Sequence, residues 1–126
     1  MAPARKCILV VEDELLIRMM LADELREAGY DVTEAFNADE ALVILRSPAP
    51  VDMILSDVRM PGSMDGIGLL RVVRSAYPKI PVIITSAHLQ PALATIDGAT
   101  RFISKPYKLE LIVKAVQEEL ANADDQ

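Results

Sequence analysis

The stretch Val51 to Gly66, VDMILSDVRMPGSMDG, decides the fold. Val51, Met53, Ile54 and Leu55 form a short apolar run that meets Ser56-Asp57. The chain then breaks into a loop carrying Met60-Pro61-Gly62 and Asp65-Gly66. An apolar run of this length between turn signals predicts a buried strand. The Asp57 carboxylate then stands at the strand's C-terminal end, the edge where open α/β sheets build their sites.

The flanking segments repeat the pattern. Cys7 to Val11 (CILVV) is continuously apolar and β-branched, as in a strand covered on both faces, and runs into Glu12-Asp13-Glu14. A helix is expected from about Glu14 to Ala28, with Leu16, Met20, Leu21, Leu25 and Ala28 inward and acidic residues in its first turn. Met19 and Met20 read as core. Asp31 to Phe36 alternates as a second strand, and Asn37 caps a helix from about Ala38 to Arg46 with Ala41, Leu42 and Leu45 inward. After the Asp57 strand, a helix runs from Asp65-Gly66 to about Ala76 with Ile67, Leu70 and Val73 inward. Ile80 to Ser86 is a fourth strand. Pro91 opens a short helix through about Ile96, and Thr100 to Ser104 is a fifth strand before Lys105-Pro106. Leu109 to about Ala121 is the last helix, and Asn122 to Gln126 a polar tail expected to fray. Strands alternating with helices predict an α/β, doubly wound parallel sheet of five strands, with all strand C-termini on one edge.

Composition narrows the function classes. The 126 residues fit one domain, with a core spanning about 6–121, and 52% hydrophobic residues supply that core. A net charge of −6 and a pI of about 4.7 argue against nucleic acid as partner. The lone Cys7 lies in an apolar run and reads as buried. The N-terminal residues do not form a signal peptide, and no apolar stretch reaches the ~20 residues of a spanning helix. A cytoplasmic protein without membrane attachment is the expectation.

The expected strand ends deliver Glu12, Asp13, Asp57, Ser86 and Lys105 to one edge. Three converging carboxylates repel one another, and a hard divalent cation such as Mg²⁺ relieves that with oxygen ligands. A lysine and a hydroxyl beside them suit a phosphoryl group. Asp57 could itself be the nucleophile, forming an acyl phosphate. Taken singly, each residue has a plainer reading: an acidic helix start, a turn aspartate, a solvated lysine, a loop hydroxyl. Their convergence favours phosphoryl transfer onto Asp57.

At this point the whole chain resembles the receiver domains of bacterial two-component response regulators. The matching pieces are Val10-Val11-Glu12-Asp13-Glu14; Asp57 with Met60-Pro61 and Asp65-Gly66; Pro81 to Ala87; and Lys105-Pro106. The resemblance implies a flavodoxin-like (βα)5 sheet of order 2-1-3-4-5. It implies Asp57 as phosphoacceptor, Glu12 and Asp13 as the acidic pair for Mg²⁺ (or Mn²⁺), and the Arg59 backbone carbonyl as a further ligand. Ser86 matches the switch hydroxyl, with Thr85 its competitor. Lys105 matches the family lysine, with a cis Lys105–Pro106 bond. Phe102 matches the switch aromatic and equally suits plain packing. Arg59 and His88 stand where the family tunes phosphate lifetime, although His88 also reads as a plain loop residue, and Ala87 is a second-tier site candidate. A sensor histidine kinase or histidine phosphotransfer protein would be the donor, an unidentified protein the target, and the unit a monomer or weak homodimer.

Two departures are visible. The Asp57–Asp65 segment is one residue longer than the common form because of Gly62-Ser63-Met64, and the Ser86–Phe102 span is short by nearly a helical turn. The chain stops after its last helix, as stand-alone receivers do. Three other readings are weaker. A receiver-like module could act without phosphorylation. An aspartyl-phosphate phosphatase would need an acid two residues past its nucleophile, where this chain has Arg59. A flavin module lacks a phosphate loop after the first strand.

Overall fold

The computed structural model describes residues 5–87 and 101–124. Its elements are β1 (Cys7–Val11), α1 (Leu15–Glu27), β2 (Asp31–Ala35), α2 (Ala38–Leu45), β3 (Met53–Asp57), α3 (Gly66–Ala76), β4 (Val82–Ser86), β5 (Arg101–Ser104) and α4 (Leu109–Asp124). All strand pairs are parallel, and the sheet order is β2-β1-β3-β4-β5. The expected order is therefore the observed one. The helix expected from Pro91 through Ile96, His88 and Thr100 lie outside the described residues.

The alternation of strand side chains explains why the sheet is covered twice. Leu9, Val11, Ile54, Val82 and Ile84 point to one face and pack with Ala41, Leu42, Leu45, Leu70 and Val73 of α2 and α3. Ile8, Val10, Met53, Leu55 and Ile83 point to the other and pack with Leu21 and Leu25 of α1 and Ile112, Ala115 and Val116 of α4. All five residues of β1 are buried, as are those of β4, which is why β1 reads as an unbroken apolar run and β4 as one that ends in two hydroxyls. β1 has β2 on one side and β3 on the other, so the winding reverses between β1 and β3. That reversal opens the crevice at the strand C-termini.

Three expectations change. Leu16, Met19 and Met20 are exposed, at 74%, 45% and 54%, and Ala28 is exposed as well. The buried stripe of α1 is instead Leu21, Ala22 and Leu25, flanked by half-buried Ile17 and Arg18. The helix carries more apolar residues than one stripe holds, and small Ala22, not Met20, lies against the sheet. Second, α1 starts at Leu15 without an acidic residue in its first turn; Glu14 is the capping residue, and its N–H goes to the Glu12 carboxylate at 3.1 Å. Third, α4 continues through Asn122 to Asp124. Ala121 and Ala123 are strong helix formers, and Lys6 pairs with Asp124 at 3.2 Å.

The crossover from β3 to α3 is drawn tight. The Gly66 N–H donates to the Val58 carbonyl at 2.8 Å. Asp65 caps α3 by accepting the Gly68 N–H at 2.9 Å. A Cβ on Gly66 would run into the Asp57 backbone carbonyl. Gly66→Ala is therefore expected to cost about 1–3 kcal/mol or more, the range of forced overpacking, read as a lower urea midpoint at constant m-value. Gly68→Ala, where a Cβ would first meet the Met64 side chain at 3.1 Å, is expected to cost less.

Candidate functional site

β1 ends at Val11 and hands Glu12 and Asp13 to the crevice; β3 ends at Asp57, one strand away. One carboxylate oxygen from each of these three residues lies within 4.8 Å of the others. Lys105, just past β5, reaches over them: its Nζ is 3.2 Å from Asp57 Oδ2 and 3.4 Å from Glu12 Oε1. The Lys105–Pro106 peptide is cis. Lys105 is also held through its backbone, donating its N–H to the Ser86 carbonyl at 2.8 Å. A cavity of about 300 Å³ opens here, lined by Asp13, Glu14, Asp57, Arg59, Ser86, Ala87 and Lys105.

Each carboxylate has its own surroundings. Glu12 is buried, at 2% exposure, while Asp13 is open to solvent. Asp57 Oδ1 accepts the Val58 N–H at 2.8 Å, so Oδ2 faces Lys105. Burial raises Glu12 from its ordinary 4.5 to about 7; Asp13 and the charge of Asp57 add to the rise, while the Glu14 N–H and Lys105 oppose it. For Lys105, burial alone would lower the value, but Asp57 and Glu12 outweigh it and leave it raised.

The structure thus brings Glu12, Asp13, Asp57, Arg59, Ser86 and Lys105 together. Thr85 is buried inside β4, pairing with Asp57 in register, and does not line the cavity. Phe102 is half-buried and packs on the core face shared with α2 and α3. Oxygen-only donors of mixed burial suit a hard cation, which would also replace part of the charge that Lys105 supplies. Two supporting residues escaped the sequence reading. Arg18 donates to the Glu12 carbonyl at 2.9 Å and pairs with Glu34 at 3.3 Å. Its signal was available: it shares the inward stripe with Leu21, Ala22 and Leu25. Asp39, on α2, holds the loop after Asp57 through Ser63, and nothing in its local sequence reveals that contact.

Comparison with known proteins shows what the chain as a whole is similar to. The family model described as response regulator receiver domain matches residues 8–117. The chain is 37% identical over 125 residues to the DNA-binding transcriptional regulator NtrC of Salmonella typhimurium, covering 97% of this chain and 26% of that protein. It spans about a quarter of the curated relatives it matches. A CheY-like receiver domain protein from Methanospirillum hungatei superposes with a TM-score of 0.90 at 24% identity, covering 97% of this chain and 98% of that one. NtrX from Brucella abortus superposes with a TM-score of 0.87 at 31% identity, covering 96% and 28%. Among the described residues no helix is long and apolar enough to cross a membrane.

The raised Glu12 makes a prediction about pH. A neutral Glu12 is favoured in the folded state, so its contribution is complete below pH 4.5 and is lost as pH rises through about 7. Metal-free protein should therefore lose roughly 3 kcal/mol between about pH 5 and 8, measured by urea unfolding, and Glu12→Gln should flatten that slope. Lys105 adds nothing in this window, because a raised lysine loses its contribution only above its ordinary 10.5.

Proposed function

The chain belongs to the response regulator receiver domain family, and from that premise we propose that Asp57 accepts a phosphoryl group from a phosphohistidine and that the modification switches protein binding. Accepting phosphoryl groups from histidine kinases or phosphotransfer proteins is general for receivers. What supports the assignment to Asp57 is its place between a cluster of acids and a lysine: Oδ2 lies 3.2 Å from Lys105 Nζ, with Glu12 and Asp13 alongside.

In this reading an Asp57 oxygen attacks phosphorus, forming an O–P bond as the P–N bond to the donor imidazole breaks. The imidazole leaves with the P–N electron pair and takes up a proton. Lys105 and Ser86 meet the phosphoryl oxygens, with Thr85 behind them. Glu12, Asp13, Asp57 and the Arg59 carbonyl would hold Mg²⁺ or Mn²⁺, which neutralises charge on the transferring group when bound. Water later cleaves the acyl phosphate, so the protein is a self-resetting signal and not a turnover enzyme. By the same reading Phe102, Ala87, Pro106 and His88 are further candidates for the switch. We read residues 1–126 as one such domain, monomeric or weakly dimeric, acting in the cytoplasm without nucleic acid.

A protein donor suits the surroundings better than a small molecule. Beside the acidic cavity is an apolar one of about 430 Å³, walled by Ile17, Met20, Pro106, Tyr107 and Leu109. Leu15, Leu16 and Met19, like Met20, are exposed apolar residues of α1. Exposed apolar area of this kind marks a docking surface.

Incubation with acetyl phosphate and Mg²⁺ should add one phosphoryl mass to the protein, and Asp57→Asn or omission of the cation should abolish it. No gain, also with a phosphohistidine protein as donor, would leave a receiver fold that signals without phosphorylation. Met20→Asp should slow transfer from a phosphohistidine protein by about ten-fold or more, as loss of an apolar anchor does, and leave labelling by acetyl phosphate unchanged.

A further inference from the structure

The loop between β3 and α3 carries an added residue, and the structure shows what the additional length reaches. The loop is closed at its base by the Gly66–Val58 hydrogen bond. At its tip, Ser63 donates both its N–H, at 3.2 Å, and its hydroxyl to the Asp39 carboxylate in the first turn of α2. Gly62 makes this approach possible. Its φ of +114° is a left-handed conformation that side chains resist, and a Cβ there would stand 2.9 Å from Asp39 Oδ2. The base and the tip of the loop are thus fixed separately, the tip to α2, and Arg59 lies between them at the edge of the acidic cavity.

We propose that Asp39 is a positioning residue for the cation site: by holding Ser63 it fixes the β3–α3 loop and so aims the Arg59 carbonyl at the crevice. The inference rests on the reading of Glu12, Asp13, Asp57 and Arg59 as cation ligands. Asp39 itself is exposed and belongs to α2, so it acts through the loop and not as a ligand. An untethered loop would have to be ordered each time a cation binds, and that ordering weakens binding.

The test is Mg²⁺ binding by isothermal titration calorimetry, with amide hydrogen exchange of residues 59–64 as a second readout. Asp39→Ala should weaken Mg²⁺ binding by roughly ten-fold, the lower range for losing a group that orients a metal ligand, and raise exchange in the loop. The phosphorylation rate at saturating Mg²⁺ should recover towards wild type, separating positioning from chemistry. Asp39→Asn, which keeps an acceptor for the Ser63 N–H and a donor for its hydroxyl, should restore most of the affinity. Adding Ser63→Ala to Asp39→Ala should cost nothing more. Unchanged affinity in Asp39→Ala would overturn the proposal. Equal losses in Asp39→Asn and Asp39→Ala would also overturn it, because a distant charge effect would then explain both. Absence of Mg²⁺ binding in the wild type would instead sink the ligand reading itself, and the positioning role with it.

Discussion

Mutual repulsion of carboxylates governs the C-terminal edge of this sheet. Glu12, Asp13 and Asp57 are brought together by the strand order, not by any attraction among themselves. Burying like charges side by side is costly, and the protein meets that cost in three ways. Glu12 is pushed towards its neutral form, chiefly by its own burial and further by Asp13 and Asp57; Lys105 bridges two of the acids, and backbone N–H groups of Glu14 and Val58 satisfy carboxylate oxygens. A site that is strained unless cations attend it responds strongly to whatever cation or anion arrives. The apolar packing of α1 and α4 on one face and α2 and α3 on the other supplies the stability against which this strain is held.

Much of this was legible in the sequence because buried parallel strands leave an unambiguous pattern. Cys7–Val11 and Val82–Ser86 could be nothing else once their Glu-Asp and Thr-Ser endings were seen, and two strand ends plus parallel winding place Asp57 beside Glu12 and Asp13. The helices were less legible where apolar residues exceed the buried stripe. In α1, Leu15, Leu16, Met19 and Met20 satisfy helical spacing as well as Leu21 and Leu25 do. Only the sheet decides which set is covered, and small Ala22 fits against it. The exposed set is then free for another protein, so periodicity alone misassigned a surface as core.

The contact that ties the loop after Asp57 to α2 was not legible. Asp39 and Ser63 stand 24 residues apart, and neither residue type is diagnostic of the pairing. Contacts of this kind set the precision of a site. The residues that do the chemistry announce themselves by type and spacing, whereas the residues that aim them are ordinary polar side chains in helices next door.

The two outer strands differ from the inner ones in a way that bears on solubility. β2 (Asp31–Ala35) carries Asp31 and Glu34, and β5 (Arg101–Ser104) is only four residues long. β5 begins with Arg101, tied to Glu118 and Glu119 of α4, and runs straight into Lys105-Pro106. Charged edges, one of them short and followed by proline, resist pairing with a second chain, which the apolar inner strands could not do if left open. The length and charge of β5 thus protect an edge of the sheet, while Lys105, just past that strand, is turned inward to Glu12 and Asp57.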